Sequence, residues 1–554
     1  MDAGFPFTIG GVVRTLSESK GLFDMRIVRR TFVLLAISLA MLAAVIFTST
    51  FLAQAQSSSS LQVKTASGMV EGKEMGSVHA FLGIPYAAPP IGDRRWKPPA
   101  PAAEWDGVRK ATEFGSHCMQ TNVYGDMVFP DPGASEDCLS LNVWIPTKAQ
   151  GKLPVMVWIY GGGFVAGGTS EPRQHGEILA QQGVIVVSMN YRLGMFGFFV
   201  HPELAKESEH HAAGNYGLLD QTAALRWVHE NIAAFGGDPA NVTIFGESAG
   251  SFSVSAQIAS PLAKGLFQKA IGESGGAFSS HGLSFAPLAE REQKDAKLAS
   301  STLGVSTLAE LRAIPAQKLL DAFSKPGERG PFSFGPDVDG YFLPESVPAT
   351  YAAAKQNDVA LLAGWNHEEE GLHPFPPDKS AMDTLKATAD KEFGARAAEF
   401  LKSYPGETEE QAQRSMADFA SDRFIAWGTW KWLEAEVKTG RQPVYRYRFD
   451  LSLPPDEKGQ PRGAYHSAEI EYVFGQLDSK TEVTWRPEDR ALSAVMQKYW
   501  TNFARRGDPN GPGLAKWPVY SPADGWPVMH LSATPEAQKD ELRGRYLFLS
   551  AWEK

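Results

Sequence analysis

Val242-Thr243-Ile244-Phe245-Gly246-Glu247-Ser248-Ala249-Gly250 runs on into Ser251-Phe252-Ser253-Val254-Ser255-Ala256-Gln257-Ile258. The stretch reads as a β-branched strand, a turn held between two glycines, and a helix of small residues. Strand, sharp turn and helix in that order lift a serine hydroxyl off the end of a sheet, and the glycines keep the crowded backbone free of side chains. The Gly-x-Ser-x-Gly pattern occurs twice, at Gly246–Gly250 and at Gly272–Gly276, and with 53 glycines in 554 residues the pattern alone is weak. Context separates the copies. Ser274 also follows a strand-like stretch, Lys269-Ala270-Ile271, but what comes after it, Gly275-Gly276 and then Ser279-Ser280-His281-Gly282, would not start a stable helix. Ser248 is therefore the expected nucleophile. Ser274 is expected to be a buried hydroxyl supporting the site.

Outward from this stretch, further apolar runs predict strands at Leu141–Ile145, Pro154–Tyr160, Val184–Asn190, Val359–Ala363 and Val444–Phe449. A helix is predicted over Leu218–Asn231, with Leu225, Val228 and Ile232 at helical spacing. Apolar strands alternating with helical periods predict an α/β protein whose parallel sheet is covered on both faces. Phe81 to Pro101 is Pro-rich and is expected to lie extended on the surface of the sheet. From about Leu288 to Ala420 helix formers dominate, which suggests helical insertions over the sheet. The composition is that of an ordinary globular enzyme, 43% hydrophobic and 21% charged. A net charge of −10 without a basic cluster in the body of the chain argues against a nucleic-acid partner.

Lys20, Arg26, Arg29 and Arg30 precede an uncharged apolar stretch, Thr31 to Ala55, that ends in the small-x-small pattern Ala53-Gln54-Ala55. Residues 1–55 are read as a signal peptide cleaved before Gln56 or, failing cleavage, a membrane anchor. Met25 is an alternative start. Either way the positive flank stays inside and the body of the chain is expected outside. Residues 56–554 form one expected catalytic domain. In an exported chain the two cysteines, Cys118 and Cys138, read as one disulfide, the alternative being two buried thiols. A bridge closing a loop of about twenty residues stabilises by roughly 3 kcal/mol in the chain-entropy account. No His or Cys pair stands at metal-ligand spacing, so no metal is expected.

A nucleophilic serine needs a base, and its oxyanion needs donors. Tyr160-Gly161-Gly162-Gly163-Phe164, directly after a predicted strand, can offer bare backbone N–H groups. The Walker alternative lacks its Lys and Ser/Thr. Together with Ser135–Trp144, Trp158–Phe164, Asn190–Gly194, Gly214–Gln221, Phe245–Gly250 and Asn502–Asn510, these residues resemble the type-B carboxylesterase family, which includes cholinesterases and para-nitrobenzyl-type esterases. The resemblance runs from about Gln62 to the C-terminus. It implies an α/β-hydrolase fold, an oxyanion hole from the N–H groups of Gly162, Gly163 and Ala249, and a Cys118–Cys138 disulfide closing a loop at the pocket mouth.

The same resemblance implies the order serine, acid, histidine. Of His281, His367, His373, His466 and His530, only His466 sits in a block like the family's histidine loop, Gly463 to Gly475. The acid falls in Gly364-Trp365-Asn366-His367-Glu368-Glu369-Glu370-Gly371. Counting from the upstream strand selects Glu369; counting back from Gly371 selects Glu370. Glu369 is preferred, with the other two glutamates as solvated surface charge. Glu247 is expected as a buried carboxylate that, with Ser274, orders water around the Glu–His pair.

The implied reaction is hydrolysis of a small carboxylic ester through a serine acyl-enzyme, with no cofactor. Phe332 and Phe334 lie in a stretch resembling the family's acyl pocket and are expected to limit acyl size. Residues 119–137 hold no Trp to bind a quaternary ammonium, which favours a neutral ester over a choline ester. The competing readings are a lipase, amidase or thioesterase and, from another class, a non-catalytic cholinesterase-like binding domain.

Overall fold

The computed structural model describes residues 61–148, 151–278, 283–325, 330–371 and 379–553. The expected leader and its cleavage point lie outside the described residues, as do His281 and His373. Among the described residues no helix is long and apolar enough to cross a membrane.

An eleven-stranded sheet organises the chain. Its strands in sequence order are β1 (Lys73–Met75), β2 (Val78–Pro85), β3 (Ser140–Pro146), β4 (Leu153–Ile159), β5 (Ile185–Met189), β6 (Gly237–Glu247), β7 (Lys269–Glu273), β8 (Ala360–Asn366), β9 (Val444–Phe449), β10 (Pro527–Leu531) and β11 (Glu536–Lys539). Across the sheet they lie β11-β10-β9-β8-β7-β6-β4-β5-β3-β2-β1. From β5 to β10 every neighbour is parallel. Both flanks are antiparallel. Every residue of β4, β5, β7 and β8 is buried, as parallel strands covered on both faces require.

The predicted strands and the helix, α1 (Tyr216–Asn231), agree with those observed to within a few residues. Phe81 to Pro101 differs. Its first residues belong to β2, inside the sheet, with Phe81, Leu82 and Ile84 buried. Only after Pro85 does the chain leave the ladder, and it takes a 3-10 turn at Gly92–Arg94. The helix-rich character of the 288–420 region holds, from Leu288–Leu303 to Glu409–Ser421.

The strand order reverses at β4. After β5 the chain crosses over and lays β6 on the other side of β4. Such a reversal opens a crevice beyond the carboxyl ends of the strands, the place where ligands enter open α/β sheets. Here β4 ends one residue before Tyr160 and the glycine loop, and β6 ends one residue before Ser248.

The helix after Ser248, α2 (Ala249–Ala259), is buried along its whole length. Its small residues follow from how closely it lies on β4. A Cβ on Gly250 would sit 2.0 Å from the Ile159 carbonyl oxygen, and one on Gly246 2.5 Å from the same atom. Two more helices cover the sheet nearby, α3 (Trp427–Thr439) and α4 (Pro487–Arg506).

Candidate active site

Ser248 stands between β6 and α2 with φ 55° and ψ −124°, a backbone region that non-glycine residues rarely occupy. Its N–H donates to the Glu273 carbonyl at 2.9 Å, and α2 locks the turn from the other side. Ser274 repeats the pose. β6 and β7 run in register, Gly246 beside Gly272 and Glu247 beside Glu273, so the two serines lie at equivalent ends of adjacent strands. Ser274 has φ 53° and its N–H donates to the Gly364 carbonyl. Surroundings separate them. Ser248 opens into a cavity; Ser274 is fully buried and its hydroxyl donates to Glu469 Oε1 at 3.2 Å.

His466 Nε2 lies 2.8 Å from Ser248 Oγ, and His466 Nδ1 lies 2.6 Å from Glu369 Oε2. The loop after β8 is zipped to the histidine loop by backbone bonds, Glu368 N–H to the Ala464 carbonyl and His466 N–H to the Glu369 carbonyl. Glu369 uses its second oxygen to accept from the Asn366 N–H at 2.7 Å, which fixes its carboxylate plane. The structure thus brings together Ser248, His466 and Glu369, the last being the glutamate that counting from the strand selected.

The neighbouring glutamates divide. Glu370 is exposed, as expected. Glu368 is not solvated surface charge: it is buried, accepts from the Ala464 N–H at 2.8 Å and pairs with Arg414 at 2.9 Å. Glu247 is buried with Oε1 3.3 Å from His466 Nε2. Ser274 touches Glu469 rather than the Glu369–His466 pair. Glu469 in turn accepts from Asn366 Nδ2 at 2.5 Å. Sequence reasoning did not single out Glu469, although it lies in the quoted histidine block.

Burial and crowding set the charges. Burial pushes the Glu247 carboxyl up to about 8, the nearby His466 working against it. Burial and the Glu369 charge push Glu469 up to about 7. Burial works to lower His466, but the carboxylates of Glu247 and Glu369 outweigh it and raise the imidazole to about 9.

Gly162 and Gly163 have φ 95° and 65° and line the same cavity as Ser248. A Cβ on Gly163 would come within 2.8 Å of the Phe332 ring, so the close approach needs glycine. Among the described residues the N–H groups of Gly162, Gly163 and Ala249 donate to no protein acceptor. Those of Gly162 and Gly163, which line the cavity, remain available to an oxygen there.

The cavity measures about 560 Å³. Phe252, Leu283, Phe332, Phe424 and Ile425 supply its apolar wall. Phe424 meets the His466 ring edge-on, centroids 5.0 Å apart. It projects from a one-turn π-helix, Asp422–Ala426, which no spacing in the sequence marks. Phe332 lines the cavity, but Phe334 does not: it is buried against Phe199 and Phe323. Cys118 and Cys138 are joined, and the loop they close sends Tyr124, Asp126 and Met127 to the cavity. Phe129 packs on His117 instead. Among the described residues no group of three His, Cys, Asp or Glu is arranged to hold a metal ion.

A model described as the Carboxylesterase family matches residues 59–548. A fumonisin B1 esterase from Sphingopyxis macrogoltabida is 37% identical over 82% of this chain and 84% of its own. A para-nitrobenzyl esterase from Bacillus subtilis is 39% identical over 83% of this chain and 92% of its own. A solved thermophilic PNB esterase superposes with a TM-score of 0.75 at 36% identity, covering 88% of this chain and 99% of that one.

Proposed function

We propose, from the premise that this chain belongs to the carboxylesterase family and hydrolyses carboxylic esters, that Ser248 is its nucleophile, His466 its base and Glu369 the acid that orients the imidazole. The single observation that carries this assignment is the unbroken line of short contacts, Ser248 Oγ to His466 Nε2 at 2.8 Å and His466 Nδ1 to Glu369 at 2.6 Å.

The reaction runs in two halves. Ser248 Oγ attacks the ester carbonyl while its proton passes to His466 Nε2. The carbonyl oxygen becomes an oxyanion, held by the N–H groups of Gly162, Gly163 and Ala249. The intermediate collapses, the C–O bond to the alcohol breaks, and His466 gives its proton to the departing alkoxide. Water then attacks the acyl-enzyme with the same base, releasing the carboxylic acid and restoring the serine. Glu369 holds the imidazole in place and stabilises the imidazolium. The strained Ser248 backbone keeps the hydroxyl aimed before substrate arrives, so little reorganisation remains for the reaction step.

The apolar wall supports packing of a hydrocarbon part of the substrate beside Phe332. The relatives' names supply two first substrates, a para-nitrobenzyl ester and fumonisin B1. Residues 1–55 support export, with the catalytic domain outside the cytoplasm. Purified protein assayed with p-nitrophenyl acetate and labelled with a fluorophosphonate tests the assignment. Turnover and labelling are both expected, and Ser248→Ala should remove both with the fold intact. Labelling that persists in Ser248→Ala would overturn the choice of serine.

A further inference from the structure

Most of the cavity wall is apolar, yet one permanent positive charge opens into it. Arg173, in the 3-10 turn Pro172–Gln174, is only 8% exposed and lines the cavity beside Ser248 and His466. A guanidinium taken this far out of water persists only with partners.

The partners present are few. Glu171 Oε1 lies 2.5 Å from Nε without hydrogen-bond geometry, and Glu171 spends its other oxygen on Gln174 Nε2 at 2.7 Å. Among the described residues Arg173 makes one hydrogen bond, a long one of 3.4 Å from Nη1 to Ser467 Oγ. A guanidinium has five N–H donors in a planar fork, so most of this one is unspent. Burial acts to lower its pKa, but the charges of Glu171, Glu471 and Asp126 outweigh it and raise the guanidinium above its ordinary value. Each of the other acids nearby also faces another group or water. Glu471 pairs with Lys480 at 2.6 Å, Glu247 faces His466, and Asp126 sits exposed at the rim where water weakens it.

We propose that Arg173 recognises an anionic group on the substrate, so that the preferred esters carry a carboxylate whose two oxygens meet the guanidinium fork while the ester carbonyl lies at Ser248. The proposal rests on the esterase reading and adds the substrate class to it. A planar fork fits a carboxylate through two parallel hydrogen bonds, which an ammonium or a hydroxyl would not reproduce. The ion pair with Glu171 restrains the arginine before binding. Because Ser467 follows His466 directly, the charged arm docks on the histidine side of the nucleophile. The chemistry is shared by esters charged on the acyl side and esters charged on the alcohol side, and the test has an arm for each.

Turnover would be measured on matched pairs. The acyl arm compares p-nitrophenyl hemiglutarate with p-nitrophenyl pentanoate; the alcohol arm compares 3-acetoxybenzoate with phenyl acetate. The wild-type enzyme is expected to favour the charged member in at least one arm by about tenfold in kcat/KM, the worth of one added charge-assisted hydrogen bond. Arg173→Gln should erase that ratio and Arg173→Lys should restore part of it. Should Arg173→Gln unfold the protein by stranding Glu171, the double variant Arg173→Gln/Glu171→Gln removes the pair whole. Glutarate binding to the wild-type enzyme, followed by calorimetry, reads the anion site without turnover and is expected to weaken in the variants. Neutral esters turned over as well as charged ones in both arms, with no glutarate binding, would overturn the proposal and leave the esterase reading standing. Glutarate binding without any ester hydrolysis would do the reverse.

Discussion

Glu247 Oε1 lies 3.3 Å from His466 Nε2, the nitrogen that also faces the Ser248 hydroxyl. Burial raises Glu247 to about 8, and carboxylates headed by Glu247 raise His466 to about 9 against its own burial. The imidazole can act as base only when neutral, so activity falls on the acid side as His466 gains its proton. Glu247→Gln takes away a charge that favours the imidazolium. The His466 pKa should drop, and the acid limb of the kcat/KM profile should move to lower pH by about one unit. A pH–rate profile of the two enzymes checks this; a limb that stays put or moves up would show that Glu247 does not govern the base.

Glu369→Gln should lower kcat by roughly 10³- to 10⁴-fold, as loss of the orienting carboxylate does in serine hydrolases. Glu370→Gln, at an exposed site, should change kcat less than threefold, or about 0.6 kcal/mol. Steady-state kinetics on the two variants decides between the two ways of counting along the loop.

Gly250→Ala places a methyl 2.0 Å from the Ile159 carbonyl oxygen, with backbone on both sides and nothing flexible to yield. A loss of about 3 kcal/mol in stability is expected from the overpacking. The urea midpoint measures it, and kcat should fall as well because α2 carries Ala249.

Phe332→Ala and Phe334→Ala should separate specificity from stability. Phe332 is 55% exposed at the cavity wall, so its removal should widen acyl-chain tolerance at nearly unchanged melting temperature. Phe334 is 2% exposed among aromatic neighbours, and its removal should cost about 3–5 kcal/mol with acyl preference unchanged. Kinetics across an ester series and thermal melts report the two effects.

These outcomes mark where the sequence was legible. The buried parallel strands are apolar runs, so Val444–Phe449 and the strands before it could be read within a few residues. Phe81–Pro85 was hidden by the prolines that follow it, although Pro85 only ends the strand. The two Gly-Glu-Ser copies were ambiguous because their backbones really are alike; the helix after Ser248 is what differs. Phe332 and Phe334 would face one way in a strand, but the 3-10 turn Pro331–Ser333 sends them apart. Burial of Glu368 depends on Arg414, 46 residues away, a pairing no local pattern announces. Phe424 reaches His466 through a π-turn, whose extra residue breaks the helical spacing that a reader counts on.

The bond between Cys118 and Cys138 ties down the segment that carries Tyr124 and Met127. Without it that segment gains conformational freedom, while Ser248, His466 and Glu369 keep anchors elsewhere in the fold. Material produced in a thiol-rich cytosol would still burn through a small activated ester, yet discriminate poorly among bulkier ones. The same polypeptide would then yield two substrate spectra, and the oxidation history of a preparation belongs beside every selectivity measured on it.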